Sequence, residues 1–189
     1  VSGIEVVDKV YDGTTQAQTL VDGVVYTGLV VGELIELTSS GVWSTPQVGT
    51  YIAVVLTNTY SGTTLDSYVM VDQLEATGTI SPAALTVQVV DVVGSYIGVA
   101  YPNFEVTYSG FVPGEEQSAL GGTLAFTGPG TTATTIGAYA VDASGLLADN
   151  YAITYVPGTY TINDGDTDLD GIGDSQDPDI DGDGISNEE

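Results

Sequence analysis

Residues 51–57 read Tyr-Ile-Ala-Val-Val-Leu-Thr, a run of aromatic, β-branched and aliphatic side chains that suits a pleated, half-buried surface. Similar short runs occupy 4–10, 68–71, 85–90, 104–108, 139–142, 151–155 and 159–162. Gly, Asn, Asp, Ser or Pro separates most of them, at the spacing of roughly 8–12 residues typical of β-sandwich strands. No window of helical length keeps an apolar stripe at i, i+3, i+4 and i+7. The expectation is an all-β chain.

The runs also repeat. Val48-Gly49-Thr50-Tyr51 matches Ile136-Gly137-Ala138-Tyr139, each opening a strand, and Gly78-Thr79-Ile80 closes the first half as Gly158-Thr159-Tyr160-Thr161-Ile162 closes the second. Val6-Val7-Asp8 near one start matches Val89-Val90-Asp91 near the other. Two tandem β-sandwiches of about 80 residues follow from this echo. Their expected spans are 1–81 and 82–163, with an acidic tail at 164–189. The junction Ser81-Pro82-Ala83 is short and stiffened by Pro82, so the two sandwiches are expected to stack end to end.

Charge narrows the function. The 189 residues carry a net charge of −25, with 26 acidic residues against one base, Lys9, and no His. Nothing here neutralises phosphates, which excludes nucleic acid and anionic membrane surfaces as partners. The lack of Cys and His removes thiol, imidazole and zinc chemistry together. No apolar run reaches the ~18–20 residues of a membrane span, so no membrane insertion is expected. No Ser/His or Cys/His arrangement is available, and the chain reads as a non-enzyme with no catalytic residue.

Eleven of the acidic residues fall between Asp164 and Glu189, and their spacing is regular. Calcium takes about six to eight oxygens, and a 12-residue loop delivers them from positions 1, 3, 5, 7, 9 and 12 with Gly at 6. Counted from Asp166, those positions are Asp166, Asp168, Asp170, the carbonyl of Ile172, Asp174 and Asp177, with Gly171 at the turn. A second register offers Asp179, Asp181, Asp183, the Ile185 carbonyl and Asn187; its twelfth position would be residue 190, so Glu188, Glu189 or a neighbouring molecule is expected to complete it. These eleven residues are the candidate metal ligands, and Ca2+ is the implied cofactor. Asp177 and Asp179 are placed to serve two ions. An EF-hand or dockerin would need a helix beside each loop, which Gly165 and Pro178 oppose.

Several stretches carry a family resemblance. Asp8-Lys9-Val10-Tyr11-Asp12-Gly13-Thr14-Thr15 resembles the opening of the bacterial YDG repeat domain. Ile80-Ser81-Pro82-Ala83-Ala84-Leu85-Thr86-Val87, Tyr108-Ser109-Gly110-Phe111-Val112-Pro113-Gly114-Glu115 and Asp149-Asn150-Tyr151-Ala152-Ile153 resemble the MBG domain, with Tyr96-Ile97-Gly98 where that family usually has Tyr-Gly. The tail resembles a thrombospondin type-3 repeat. The resemblance implies immunoglobulin-like sandwiches in a bacterial extracellular or cell-surface protein, and it supplies no catalytic residues.

The reading that follows is a secreted, calcium-stiffened structural protein. It would serve as an adhesin stalk module or a self-assembling filament subunit, with calcium at contacts between domains or subunits. Its partners would be copies of itself or neighbouring repeats. The alternative is a carbohydrate-binding accessory module, with Trp43 or a surface Tyr stacking on a glycan. Tyr51, Tyr139 and Tyr151 are weighed against that as core or corner residues. Lys9 is read as the partner of Asp8 or Asp12 in an ion pair, in preference to an isopeptide cross-link.

Overall fold

The computed structural model describes residues 1–95 and 102–187. The resembling motif at 96–98 and the acids Glu188 and Glu189 lie outside the described residues. The described chain is all-β, broken only by single 3-10 turns at Leu65–Ser67, Gln117–Ala119 and Pro129–Thr131. No described helix is long and apolar enough to cross a membrane. Two compact units emerge: unit 1 comprises Val1–Ala83, Val112–Glu115 and Asp149–Ala152, and unit 2 comprises Ala84–Phe111, Glu116–Ala148 and Ile153–Glu189.

The first half supplies β1 (Glu5–Val6), β2 (Lys9–Val10), β3 (Gln16–Ala17), β4 (Thr19–Leu20), β5 (Glu36–Trp43), β6 (Gly49–Ser61) and β7 (Glu75–Ser81). They form a five-stranded sheet in the order β2-β7-β6-β5-β3 and a two-stranded sheet β1-β4. The period of two is plain on β6, where Ile52, Val54 and Leu56 are buried while Tyr51, Ala53 and Val55 face out. Trp43 lies in the same core, only 2% exposed. Its burial removes it as a sugar-stacking surface.

The second half supplies β8 (Ala83–Val89), β9 (Val92–Ser95), β10 (Val106–Ser109), β11 (Gly121–Thr127), β12 (Gly137–Leu147), β13 (Tyr151–Val156) and β14 (Gly158–Asn163). They make a three-stranded sheet β10-β8-β13 and a four-stranded sheet β11-β12-β14-β9. Val89, Val141, Ala143, Tyr160 and Ile162 are its buried centre, with Phe104 and Phe126 packed against them. Phe104 meets Tyr160 edge-on at 5.9 Å. Each buried Val or Ile contributes roughly 1.5–3 kcal/mol over exposure, so these faces hold the sheets in register.

The internal echo has a structural counterpart. In the first half, β2 runs parallel to β7, with Lys9 opposite Ile80. In the second, β9 runs parallel to β14, with Val92 opposite Tyr160. Just before each parallel pair begins, an Asp side chain takes a backbone amide: Asp8 accepts Thr79 N at 2.7 Å, and Asp91 accepts Thr159 N at 2.7 Å. An otherwise open N–H at the start of the pairing is thereby satisfied.

Two expectations need correction. Residues 68–71 form no strand; Tyr68 N instead closes the preceding 3-10 turn on Leu65 O, and its hydroxyl is tied to Glu33 and Val30 N. The three tyrosines also part company. Tyr151 is buried at 5% exposure, and Tyr139 donates to Thr135 O at 3.0 Å. Tyr51 is 86% exposed, because a register shift between Gly49 and Ile52 and a φ of 53° turn it outward.

Candidate metal centre

The tail is two turns of one design, offset by 13 positions. In the first, Asp166 Oδ2 accepts Gly171 N at 3.1 Å, Asp168 Oδ1 accepts Asp170 N at 3.1 Å, and Asp170 Oδ1 accepts Ile172 N at 2.7 Å. In the second, Asp179 Oδ2 accepts Gly184 N at 2.9 Å, Asp181 Oδ1 accepts Asp183 N at 3.3 Å, and Asp183 Oδ1 accepts Ile185 N at 2.8 Å. Each carboxylate accepts an amide further along its own loop, which curls the backbone. Gly171 and Gly184 sit at φ 94° and 84°, where a side chain is disfavoured.

The ninth position closes each loop. Asp174 Oδ1 accepts Thr167 N at 2.8 Å and its Oδ2 accepts the Thr167 hydroxyl at 3.1 Å. Asn187 Oδ1 accepts Ile180 N at 2.9 Å. The backbone repeats too, with Asp174 N on Gly165 O at 2.7 Å and Asn187 N on Pro178 O at 2.8 Å. The left-handed backbone recurs as well: Leu169 at φ 65° corresponds to Gly182 at φ 67°.

Six of the candidate ligands therefore converge. One carboxylate oxygen each from Asp166, Asp168 and Asp170 lies within 4.8 Å of the others, and the same holds for Asp179, Asp181 and Asp183. Asp174 and Asn187 are engaged as loop closers. Ile172 and Ile185 are held through their amides by Asp170 and Asp183. Asp177, 8% exposed, is tied to the second loop: its Oδ1 accepts Asp179 N at 2.7 Å, and its carbonyl accepts Asn187 Nδ2 at 2.7 Å.

Three oxygens stand apart. Asp166 Oδ1, Asp177 Oδ2 and Asp179 Oδ1 are buried with no hydrogen-bond partner. A carboxylate oxygen stripped of both water and donors costs roughly 1–3 kcal/mol or more, and hard oxygens in this arrangement suit a cation such as calcium. The Asp168 carboxyl shows the strain: the Asp170 amide bonded to it pulls its pKa down, yet burial and the charges of Asp170, Asp177 and Asp166 together leave it above the usual value.

Elsewhere, Lys9 is fully committed. Its Nζ donates to Asp12 Oδ1 at 2.6 Å, Thr14 O at 2.7 Å and Thr14 Oγ1 at 3.1 Å, so the ion pair with Asp12 is the arrangement found. Asp12 also accepts Thr14 N at 2.8 Å, which knots the Tyr-Asp-Gly turn. Read from sequence, Glu115 is one of a carboxylate pair in a turn after Pro113-Gly114, with no partner assigned; in the structure its two oxygens receive the hydroxyls of Tyr11 and Tyr151. Its Pro-Gly-Glu setting signals a turn, and only the fold brings tyrosines from residues 11 and 151 to it.

Residues 1–79 match the family model of the YDG domain, and residues 85–161 match that of the MBG domain (YGX type). No curated protein and no solved structure matches the chain. The two matched domains are consistent with a non-enzymatic structural or binding module. The acidic tail falls outside both matched spans.

Proposed function

We propose that this chain, a YDG domain followed by an MBG domain and an acidic tail, is a non-enzymatic extracellular structural module whose tail is ordered by calcium. The two domains are read as immunoglobulin-like sandwiches. The tail is read as a thrombospondin type-3-like repeat serving as a joint or contact within an adhesin stalk or a surface filament. The observation that carries the calcium reading is the set of three buried, unpartnered carboxylate oxygens on Asp166, Asp177 and Asp179, set among two carboxylate triads.

Asp166, Asp168 and Asp170 would hold one ion and Asp179, Asp181 and Asp183 a second, and Asp177 would add the further oxygen that its unpartnered Oδ2 offers. Bound calcium supplies positive charge where the chain has no base, so that closely spaced carboxylates no longer repel. The residues themselves supply the curvature of each loop, through the backbone amides that the Asp side chains accept. The Ile172 and Ile185 carbonyls and Asn187 are the neutral donors closest in sequence.

Calorimetric titration with calcium, alongside sizing of the same samples, tests the reading. Two binding events at millimolar calcium or below are expected, and absence of binding heat at that concentration would overturn it. Association that appears only with calcium favours the filament role; a monomer in both conditions favours the stalk.

Carbohydrate binding is the second reading, and Tyr51 is what favours it. A bulky side chain held outward at a positive φ is a costly arrangement that often marks a functional position. Glycan-array binding that vanishes in Tyr51→Ala would support it. Binding that survives the change would end it.

A further inference from the structure

Unit 1 contains two short visitors from far along the chain, Val112–Glu115 and Asp149–Ala152. The side chain joining them to the signature turn is Glu115. Its Oε1 accepts the Tyr11 hydroxyl and its Oε2 the Tyr151 hydroxyl, both at 2.5 Å. Tyr11 and Tyr151 are each 5% exposed, and their rings meet edge-on at 5.7 Å and 79°. Tyr151 Oη also accepts Val112 N at 3.1 Å. The turn itself is closed by Glu115 N on Val112 O at 3.1 Å.

Next to this group, Asn150 makes three bonds of its own. Its Oδ1 accepts Val48 N at 3.1 Å, its Nδ2 donates to Gln47 Oε1 at 2.6 Å, and its carbonyl accepts Ala83 N at 3.0 Å. Residues 9–15, 47–48 and 83 are thus tied to one short stretch more than 60 residues away in sequence. Charge-assisted bonds to a carboxylate are about twice as strong as neutral ones. They also act here as a group, because Tyr151 follows Asn150 directly and cannot shift without moving it.

We propose that Glu115, gripped by Tyr11 and Tyr151, is a clasp that holds Val112–Glu115 and Asp149–Ala152 in unit 1, and that releasing it opens the Asn150 bonds as well. Unit 1 is then closed by residues beyond the matched YDG span, and the Tyr of the Tyr-Asp-Gly turn is the anchor for an acidic turn arriving from later in the chain. The two other signature residues serve the turn locally, Asp12 by holding Lys9 and Thr14 and Gly13 by its φ of 74°. Tyr11 is the one that bonds Glu115.

The clasp acts through other residues and has no part in calcium binding, so its test is independent of the tail. Hydrogen exchange on the full chain, saturated with calcium, would compare the parent with Glu115→Ala and Glu115→Gln. Three reporter amides do not touch Glu115: Tyr11 N, bonded to Ser81 O at 2.8 Å, Val48 N, and Ala83 N. In Glu115→Ala all three are expected to exchange at least tenfold faster, with an intermediate effect in Glu115→Gln, which retains one acceptor. Val141 N in unit 2 should not change. Acceleration confined to residues 112–115, or no change at Val48 and Ala83, would reduce Glu115 to a local turn residue and overturn the proposal. Should Glu115→Ala fail to fold, Tyr11→Phe, which removes one grip, must still accelerate Val48 and Ala83 for the clasp to stand.

Discussion

Raising the pH from 9 to 12 attacks unit 1 at a definable point. Tyr11 is buried and donates its proton to Glu115, so ionising it would place two negative oxygens in contact. The hydrogen bond to Glu115, then burial, then the charges of Glu115 and Tyr151 push its pKa from 10.0 to about 12. Tyr151 is raised as well, by burial first and then by its bond to Glu115. Because the folded pKa lies above the unfolded one, the stability Tyr11 contributes is fully present below pH 10. It is lost as pH climbs from 10 towards 12. A shift of that size corresponds to on the order of 3 kcal/mol, a sizeable part of a marginal stability.

The assay is built into the chain, since Trp43 is the only Trp and is 2% exposed. Urea unfolding followed by Trp fluorescence at successive pH values would give stability against pH. The parent should lose stability steeply across this window. Tyr11→Phe should start about 1 kcal/mol lower at neutral pH, having lost one hydrogen bond, and then fall less steeply by close to one proton. If both proteins show the same slope between pH 10 and 12, Tyr11 does not carry the alkaline loss, and the reasoning from the Glu115 bond is wrong.

Two further outcomes are expected. A Cβ added at Gly78 would lie 2.8 Å from Trp43 Cη2 and 3.1 Å from Asp8 Oδ1, so Gly78→Ala should cost about 1–3 kcal/mol by overpacking, measured by thermal or urea unfolding. Asp12 is held below its ordinary pKa; burial opposes this, and the bonds from Lys9 and Thr14 prevail. Its contribution is therefore present above about pH 4 and lost as pH falls through the depressed folded value, so Lys9→Met should flatten that part of the acid limb in the same unfolding assay.

The all-β class was legible because strand runs such as 51–57 and 85–90 carry their own alternation. The strand at Glu36–Trp43 was not, since Glu-Leu-Thr-Ser-Ser-Gly-Val-Trp buries only Gly41 and Trp43 fully and offers little apolar signal. It is held by its ladder with β6 instead, from Glu36 opposite Ser61 to Trp43 opposite Val54. Gly121–Thr127 escaped notice for a similar reason, with two glycines at its start. Residues 68–71 erred the other way: strand-forming residues that pair with no strand among the described residues. In the tail, spacing alone located both triads, because a turn made by Asx bonds is a local property of the sequence. The loop-closing role of Asp174 was invisible, since a carboxylate at that position reads equally well as a ligand or as an amide acceptor.

The 13-residue repeat separates these two uses of an acid. At the ninth position the first loop has Asp174 and the second has Asn187, and each gives an oxygen to the amide of its second position. A neutral amide performs that task as well as a carboxylate does. At the first, third and fifth positions both loops have Asp, although Asn would form the same turn. Asx bonding therefore does not explain the charge there, whereas the proposed calcium would. The consequence is specific: Asp174→Asn should leave the calcium stoichiometry unchanged and alter affinity by less than about threefold, reproducing in the first loop what the second already has. Asp170→Asn, with the same change of atoms and the same backbone bond to Ile172, should weaken its site by tenfold or more, since it removes ligand charge. Calorimetry on the two variants separates the roles. Equal losses would mean that Asp174 also faces the ion, and equal indifference would mean that the triad's charge serves no cation.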